Sequence, residues 1–223
     1  MRALNELADR QWRDYRARRP GTCFTDPDFA LDLRQAYDLQ QAVATLRIAA
    51  GDHVVGYKVG CTGPGTVSQF GMEGPIRGYL FDSEIHQTGD ALDAANYAHL
   101  AIEGEMALRI DKDGQIVAAF PVIELHHFVF RASRKTLVEL VANNGLNAGI
   151  VLPDDECQSS RTIADGAMLS VRINGKAVGM GGLWPMVDGP AASLAWLRDH
   201  LEKHRHALAP GQIVLAGTAL DLY

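Results

Sequence analysis

Hydrophobic residues recur at helical spacing over the first fifty positions. In residues 3–18 the apolar positions stand three or four apart, which predicts an amphipathic helix: Leu4, Leu7, Ala8, Trp12 and Tyr15. Pro20-Gly21 ends this helix. Thr25-Asp26-Pro27 places a capping side chain before a proline, and it predicts the start of a second helix that runs to Gly51. The pattern predicts a helical pair over residues 1–50.

The pattern changes after Gly51, where short β-rich runs alternate with Gly, Pro and Asp turns. The runs are HVVGYKVG, GYLFDSEI, EGEMALRI, QIVAAFPVIEL, MLSVRING, KAVGMGG and QIVLAG. Two helical stretches, 134–143 and 191–204, lie between them. Strands and helices without a regular βαβ repeat predict an α+β fold. We expect one domain over 1–223, with an N-terminal helical segment (1–50) and a sheet-rich core (51–223).

Composition and charge narrow the class of protein. The 223 residues are 47% hydrophobic and 22% charged, with a formal net charge of −6. This acidic balance argues against a nucleic-acid partner, which needs a basic surface. The three cysteines are far apart and form no C-x-x-C motif, so we expect free thiols in a reducing compartment, the cytoplasm. No apolar run approaches the length of a membrane span, so no membrane partner is expected.

The run IEGEMAL places Glu103 and Glu105 on the same face of a predicted strand. A hairpin signal, Asp111-Lys112-Asp113-Gly114, follows. If Asp113-Gly114 is a two-residue turn, Glu103 lies opposite Glu124. If the turn is one residue earlier, Glu124 lies diagonal to Glu103 on the same face. A three-residue loop or a bulge would break this argument.

Three carboxylates at contact distance repel one another unless a cation lies between them. Hard oxygen ligands suit Mg²⁺ or Mn²⁺. The spacing therefore admits a metal site of Glu103, Glu105 and Glu124. The alternative stays open at this point: the first two residues line a solvated sheet edge, and Glu124 caps a strand.

Together with these residues, the order of motifs along the chain resembles a known family. The segments of this chain that carry the resemblance are, in order, LRQAYDLQQAV (33–43), GYKVGCT (56–62), GPIRGYLFDS (74–83), IEGEMAL (102–108), VIEL (122–125), TLVELVANNGLNAGIVL (136–152), GLWPMVDGPAASLAWLRDHL (182–201) and LAPGQIVLAGT (208–218). The chain resembles the branch of the fumarylacetoacetate hydrolase superfamily that contains 2-keto-4-pentenoate hydratases, 2-oxohepta-3-ene-1,7-dioate hydratases and 4-oxalocrotonate decarboxylases. Motifs of this kind are weak singly and specific in this order.

The resemblance implies a mixed β-sheet roll of the C-terminal type of that superfamily. It implies Mg²⁺ or Mn²⁺ held by Glu103, Glu105 and Glu124, and a small-molecule substrate, a 2-oxo acid or its dienol. The expected activity is a lyase of aromatic catabolism that adds water to 2-hydroxy-2,4-dienoates such as 2-hydroxypenta-2,4-dienoate. A 4-oxalocrotonate-type decarboxylase and an acylpyruvate hydrolase remain alternatives. The resemblance also implies a homo-oligomer.

The matching motifs assign roles to further residues. Lys58 of Gly-x-Lys-x-Gly is the first candidate for proton transfer, with a pKa that we expect burial near a metal to lower; the alternative is a surface lysine. Asp82 is the second catalytic candidate, and a turn-forming Asp is the alternative. Gln69 and Thr218 are expected to bind substrate oxygens.

Two histidines, one cysteine and the end of the chain also affect the expected function. His126 and His127 follow Glu124 as possible ligands or bases, but we leave them outside the triad. In the family an acidic residue stands where this chain has His. Cys61 is expected to be a small buried hydrophobe.

The chain stops at Tyr223, short of further strands of the family, so a catalytically impaired homologue acting as a partner subunit is the second hypothesis.

Overall fold

A computed structural model describes residues 2–63, 70, 74–156 and 166–223. Its α-helices are α1 (Arg2–Arg16), α2 (Leu33–Ala49), α3 (Leu137–Ala142) and α4 (Gly189–Lys203). Its strands are β1 (Val54–Gly60), β2 (Ile76–Phe81), β3 (Ile85–Gln87), β4 (Leu100–Ile110), β5 (Ile116–His127), β6 (Asn147–Leu152), β7 (Met168–Ile173), β8 (Lys176–Gly182) and β9 (Ile213–Leu215). None of these helices is long and apolar enough to cross a membrane.

Seven of the strands form one mixed sheet in the order β2-β1-β9-β4-β5-β6-β3. The pairs β1–β9 and β3–β6 are parallel, and the other neighbours are antiparallel. β7 and β8 form a separate antiparallel hairpin. The α+β class and the mixed sheet predicted from the sequence are confirmed.

The second helix begins later than predicted, at Leu33 instead of near Thr25. Asp26 does not start a helix: it follows a 3₁₀ helix (Thr22–Thr25), and its carboxylate accepts hydrogen bonds from the guanidinium of Arg10 on α1. The cap is Asp32: its side chain accepts from the backbone N–H of Gln35, whose side chain accepts from the Asp32 N–H. This reciprocal capping box satisfies two backbone donors at the helix start.

The β4–β5 hairpin has the predicted pairing register, although its loop differs from the predicted one. The backbone N–H of Asp111 donates to the carbonyl of Gln115 at 2.9 Å, which leaves a three-residue loop. A bulge at Val117 then shifts the pairing by one residue. Because the two irregularities compensate, Glu103 still lies directly opposite Glu124. A three-residue loop or a bulge was expected to break this alignment; both are present, and together they preserve it.

The two faces of the sheet have different partners. Tyr57, Leu108 and Val214 on one face pack against Leu197 and Leu201 of α4. The opposite face carries a second apolar cluster that includes Leu215, Ala107 and Phe120. Cross-strand partners lie on the same face, and Lys58 pairs with Leu215, which pairs with Ala107. Lys58, Glu103, Glu105 and Glu124 therefore lie on this second face. Lys58 is directly opposite Leu215, and the three glutamates are two or four residues along β4 and β5 from Ala107 and Phe120.

Candidate active site

A cavity of about 550 Å³ opens at that end of the sheet. Five residues predicted as site residues line it: Lys58, Glu103, Glu105, Glu124 and Thr218. They come from β1, β4, β5 and the segment after β9. The remaining walls are largely apolar: Phe70, Ile76, Phe128, Phe130, Leu140 and Leu146. The fold thus gathers residues that are up to 160 positions apart in the sequence at one pocket.

Glu124 is the most buried of the carboxylates, with no measurable exposure. Its Oε1 lies 2.6 Å from Nζ of Lys58 and accepts from Nδ2 of Asn147 at 2.7 Å. Burial alone would raise the pKa of Glu124, but Lys58, His126 and Asn147 outweigh it and lower that pKa. The charged carboxylate is therefore the favoured form. Its Oε2 has no hydrogen-bond partner among the described residues.

Lys58 is buried, so the surface-lysine alternative is wrong. Its Nζ also donates to the carbonyl of Gly145 at 3.3 Å. Burial lowers the pKa of Lys58, but the charges of Glu124, Glu105 and Glu103 outweigh it, so the pKa lies above its ordinary value. The expectation from the sequence was that burial near a metal lowers this pKa; the surrounding carboxylates by themselves raise it.

Glu105 differs from the other two carboxylates. It is 2% exposed, and its Oε1 accepts a hydrogen bond from the backbone N–H of Gly217. Burial, followed by the charge of Glu124, raises the pKa of Glu105 well above its ordinary value. Glu105 is thus tied to the chain segment that follows β9.

His126 joins the acidic cluster, and His127 does not. The Nε2 of His126 lies 3.5 Å from Oε2 of Glu103 and 3.5 Å from Oε2 of Glu124. His127 accepts from the backbone N–H of Ala98 at 2.8 Å and packs edge-on against Tyr15. Burial lowers the pKa of His127 to about 4. The two histidines are the last residues of β5, where neighbours face opposite sides, so only one of them reaches the pocket.

The cluster suits a divalent cation. One ligand atom each from Glu103, Glu124 and His126 lies within 4.8 Å of the others. Two of these residues, Glu124 and His126, are buried and end in atoms without a hydrogen-bond partner, Oε2 and Nε2. Buried polar atoms normally have partners, and two carboxylate oxygens with an imidazole nitrogen are common metal donors. Sequence reasoning left His126 out, and its position two residues after Glu124 on one strand was the signal that could have included it.

A strained turn borders the pocket beside Lys58. Asn144, Gly145 and Leu146 all have positive φ, at 59°, 63° and 62°. Left-handed conformations are costly for residues other than glycine. The side chain of Asn144 holds the turn: it accepts from the N–H of Tyr79 at 2.7 Å and donates to its carbonyl at 2.9 Å. The turn presents the Gly145 carbonyl to the ammonium of Lys58.

Thr218 lies in the pocket wall, and its polar atoms are partly engaged. Its Oγ1 accepts from the N–H of Leu220 at 3.1 Å, and its carbonyl accepts from the hydroxyl of Thr62 at 3.4 Å. A hydroxyl that accepts through one lone pair still has its proton to donate to a substrate oxygen. The position of Thr218 is therefore compatible with substrate binding.

The remaining predicted residues fall elsewhere. Asp82 does not line this pocket: it follows β2, and its carboxylate contacts the backbone N–H and ring of His53. Its contacts with Asp52 and with His53 lower the pKa of Asp82. Gln69 lies outside the described residues. Cys61 lines the pocket, and burial raises the pKa of its thiol to about 11, which suits a hydrophobic residue better than a nucleophile.

Comparison with known proteins supports the resemblance seen in the sequence, although no protein-family profile matches the chain. The chain is 26% identical over 213 residues to 2-hydroxypent-2,4-dienoate hydratase of Pseudomonas putida, covering 89% of this chain and 95% of that protein. It is 29% identical over 210 residues to 2-keto-4-pentenoate hydratase of Burkholderia vietnamiensis, covering 83% and 76%. It is 25% identical over 203 residues to 4-oxalocrotonate decarboxylase of Pseudomonas sp, covering 86% and 78%.

The fold comparison agrees. The structure of 4-oxalocrotonate decarboxylase from Pseudomonas putida G7, complexed with magnesium and adipate, superposes with a TM-score of 0.86. It is 20% identical in sequence, and the match covers 99% of this chain and 89% of that one. At this identity the match establishes the fold, and it confirms the predicted β-sheet roll. The chain is thus a homologue of the 2-hydroxydienoate hydratases and 4-oxalocrotonate decarboxylases, as its motifs predicted.

Proposed function

We propose that this protein is a divalent-metal-dependent hydro-lyase that adds water to 2-hydroxy-2,4-dienoates to give 4-hydroxy-2-oxo acids in aromatic catabolism. The observation that carries the proposal is the convergence of Glu103, Glu124 and His126 beside Lys58 in one pocket. Hydratases of such dienoates among its relatives support the reaction class.

The cofactor would be Mg²⁺ or Mn²⁺, held by Glu103 and Glu124. The sequence pattern offers Glu105 as the third protein ligand, and the geometry offers His126. When bound, a divalent cation supplies electrostatic stabilisation for negative charge on the 2-oxo and carboxylate oxygens of the substrate. The unpartnered Oε2 of Glu124 supports this site, because its Oε1 is already engaged by Lys58.

Lys58 would move the proton. In the dienol, a proton is added at C5 and the 2-hydroxyl loses one, which leaves a 2-oxo-3-enoate. The oxygen of water then adds at C4 and a proton arrives at C3, so one water is consumed. An ammonium on the pocket floor, held in position by Glu124 and the Gly145 carbonyl, can serve as proton donor and regain the proton from water.

Thr218 and the apolar wall would position the substrate. The Thr218 hydroxyl is the donor for a carboxylate oxygen, and Gln69 is proposed for the same purpose from its motif alone. Phe128 and Phe130 border the pocket and would exclude bulk water from the carbon chain of the dienol. An apolar wall that excludes water strengthens the electrostatic interactions at the carboxylate cluster of the pocket.

A decarboxylase is the second candidate, because several relatives are 4-oxalocrotonate decarboxylases. The reactions share stabilisation of negative charge on the 2-oxo oxygen and differ in whether water adds or carbon dioxide leaves. We keep the homo-oligomeric state and the cytoplasmic location as proposals, since they rest on the sequence resemblance and the cysteine pattern. A catalytically impaired partner subunit remains the alternative outcome of the test.

The test is a paired assay on purified protein. Dienol consumption is followed by ultraviolet absorbance and the 4-hydroxy-2-oxo product by NMR, after chelation and after return of Mg²⁺ or Mn²⁺. We expect activity to vanish on chelation, to return with metal, and to be lost in Glu124→Gln but not in Glu202→Gln, an exposed carboxylate on α4. Carbon dioxide release from 4-oxalocrotonate without hydration would favour the decarboxylase. Inactivity towards both substrates would leave the partner-subunit hypothesis.

A further inference from the structure

Lys135 brings a second ammonium to the wall of the active-site pocket. It lies two residues before α3, is exposed to solvent, and lines the pocket together with Phe128 and Phe130. Lys58, the lysine on the pocket floor, is buried and paired with Glu124. The proton transfers proposed above use Lys58, and Lys135 has no part in them. The charge of Lys135 can therefore act on another portion of a bound molecule.

Two aromatic rings hold the ammonium of Lys135 at the pocket wall. Its Nζ lies 4.7 Å from the ring centroid of Phe128 and 5.5 Å from that of Phe130. The two rings themselves pack edge to face, with centroids 6.1 Å apart. A ring face attracts the cation but accepts no conventional hydrogen bond, so the N–H groups of the ammonium can still donate to an anion. The rings thus favour one position for the charge and leave its hydrogen-bonding capacity to a ligand.

The ammonium lies at a distance from the carboxylate cluster. Phe128 follows Glu124 by four residues, and the pairing of β5 with β4 continues to it, because its N–H donates to the carbonyl of His99 at 3.0 Å. Four residues of extended chain span about 13 Å. Both Glu124 and Phe128 line the pocket. The pocket therefore runs from the carboxylate cluster, across the phenyl rings, to the ammonium of Lys135.

This arrangement favours a substrate that is charged at both ends. With the 2-oxo acid end of the dienol at the carboxylate cluster, the far end of its carbon chain lies along the rings, close to Lys135. A hydrocarbon end would gain only the apolar contact, whereas a carboxylate there would also accept from the ammonium in a charge-assisted hydrogen bond. Asp221 also lines the pocket and would repel such a carboxylate, so the attraction has to come from Lys135.

We propose that Lys135 is a specificity-determining residue that binds a second carboxylate at the far end of the substrate. Among 2-hydroxy-2,4-dienoates, the favoured class would then be the dioic acids, and not dienoates that end in a hydrocarbon group. This inference rests on the proposed function, because it takes the reacting end of the dienol to lie at the carboxylate cluster. Lys135 contacts the distal carboxylate only and takes no part in the chemical steps, so binding of unreactive acids tests it without turnover.

The first experiment is calorimetric titration, with Mg²⁺ present, of 2-oxoadipate and 2-oxohexanoate, two six-carbon 2-oxo acids that differ only in the distal carboxylate. We expect the wild type to bind 2-oxoadipate more tightly. The ratio of the two affinities should fall about fivefold in Lys135→Met, the upper end of what an ion pair in contact with water contributes. Lys135→Arg keeps the charge and should keep most of the ratio. Arg134→Met, which removes the neighbouring exposed cation, is the matched control and should leave the ratio as in the wild type.

Three results would count against these expectations. Equal affinities for the two acids in a wild type that hydrates dienols overturn the inference and leave the proposed function standing. A preference for 2-oxoadipate that persists in Lys135→Met also overturns it. Failure of the wild type to bind either acid overturns both proposals. Added salt should shrink the wild-type preference, because it screens an exposed ion pair and leaves apolar contacts in place.

The second experiment compares turnover of 2-hydroxyhepta-2,4-diene-1,7-dioate with that of its 7-methyl ester, which keeps the chain and removes the distal charge. We expect the ratio of kcat/KM for the diacid to that for the ester to fall about fivefold in Lys135→Met. The change should lie in KM, because a contact with the distal carboxylate is made equally in the bound substrate and in the transition state. A fall confined to kcat would show that Lys135 acts on the chemical step, and it would overturn the inference.

Discussion

Lys58 and Glu124 form a buried ion pair across the sheet, with Nζ and Oε1 2.6 Å apart. Their strands, β1 and β5, are not neighbours, because β9 and β4 lie between them. Three strand spacings in a flat sheet amount to about 14 Å. The pair therefore requires the sheet to curl and the lysine to extend over its concave face. This curl makes a pocket from residues that sequence separation and strand order would keep apart.

Lys58→Met should destabilise the metal-free protein by about 3 kcal/mol, because it leaves the Glu124 carboxylate buried without its cation. Urea unfolding at neutral pH, followed by circular dichroism, measures the change. The same variant should lose hydratase activity, since it removes the proton carrier of the proposed mechanism.

The control for this prediction is Lys58→Met combined with Glu124→Gln. The double variant should recover most of the stability, because an amide does not need a neighbouring cation and can still accept from Asn147. A single variant as stable as the wild type would show that the ion pair contributes nothing to folding.

Asn144→Ala should cost about 2 kcal/mol of unfolding free energy. It removes two hydrogen bonds to the backbone of Tyr79 and leaves the left-handed turn of residues 144–146 unsupported. Thermal unfolding measures the loss. Because the turn carries the carbonyl that accepts from Lys58, we expect kcat to fall as well. An unchanged melting temperature would contradict the view that Asn144 holds the turn.

Asp82→Asn should leave hydratase activity unchanged, contrary to the role expected from its motif. Its carboxylate contacts His53 at the far end of the β1–β2 pair, where Val54 pairs with Phe81, whereas Lys58 pairs with Gly78. Steady-state kinetics compares the kcat of Asp82→Asn with that of Glu103→Gln, which should lose activity. A large loss of kcat in Asp82→Asn with intact folding would restore Asp82 as a catalytic candidate.

Local patterns predicted the local features of this protein, and contacts between distant segments decided the rest. The alternation in IEGEMAL placed Glu103 and Glu105 on one face, and the hairpin signal placed Glu124 opposite. The start of α2 was missed because the apparent cap, Asp26, is engaged by Arg10, sixteen residues before it in the sequence. The hydrogen bond between Glu105 and the Gly217 N–H could not be predicted either, since its donor comes from a segment 112 residues later.

Acid should destabilise the protein below about pH 6.5 in part through His200. Burial, followed by the charge of Arg77, lowers the pKa of His200 to about 3 in the folded state. An unfolded histidine titrates near 6.5, so between these values the unfolded state binds the proton and the folded state does not. The contribution of His200 to the free energy of unfolding is therefore at its full value above pH 6.5. It falls as the pH drops toward 3, and the loss is roughly 1–2 kcal/mol at pH 5.

His200→Phe tests this effect while keeping the ring stacked on Trp196, whose centroid lies 4.9 Å away. The variant should show a shallower decline of unfolding free energy between pH 7 and 5 than the wild type. The exposed His53, changed to Gln, is the control for removing one imidazole. Equal slopes in wild type and His200→Phe would contradict the assignment.

Arg77→Met should stabilise the protein by about 1–2 kcal/mol, because a buried charge without an anion costs more than an apolar chain of similar length. Arg77 is 0% exposed, and its three guanidinium nitrogens have no hydrogen-bond partner among the described residues. Its main contact is the ring of Tyr79, 4.5 Å from the guanidinium carbon, and such a contact offsets only part of the desolvation. Urea unfolding of Arg77→Met and of Arg77→Lys separates the effect of side-chain shape from the effect of charge. The lysine variant keeps the charge, so its free energy of unfolding should not rise. A destabilised methionine variant would show that the aromatic contact outweighs the desolvation of the cation.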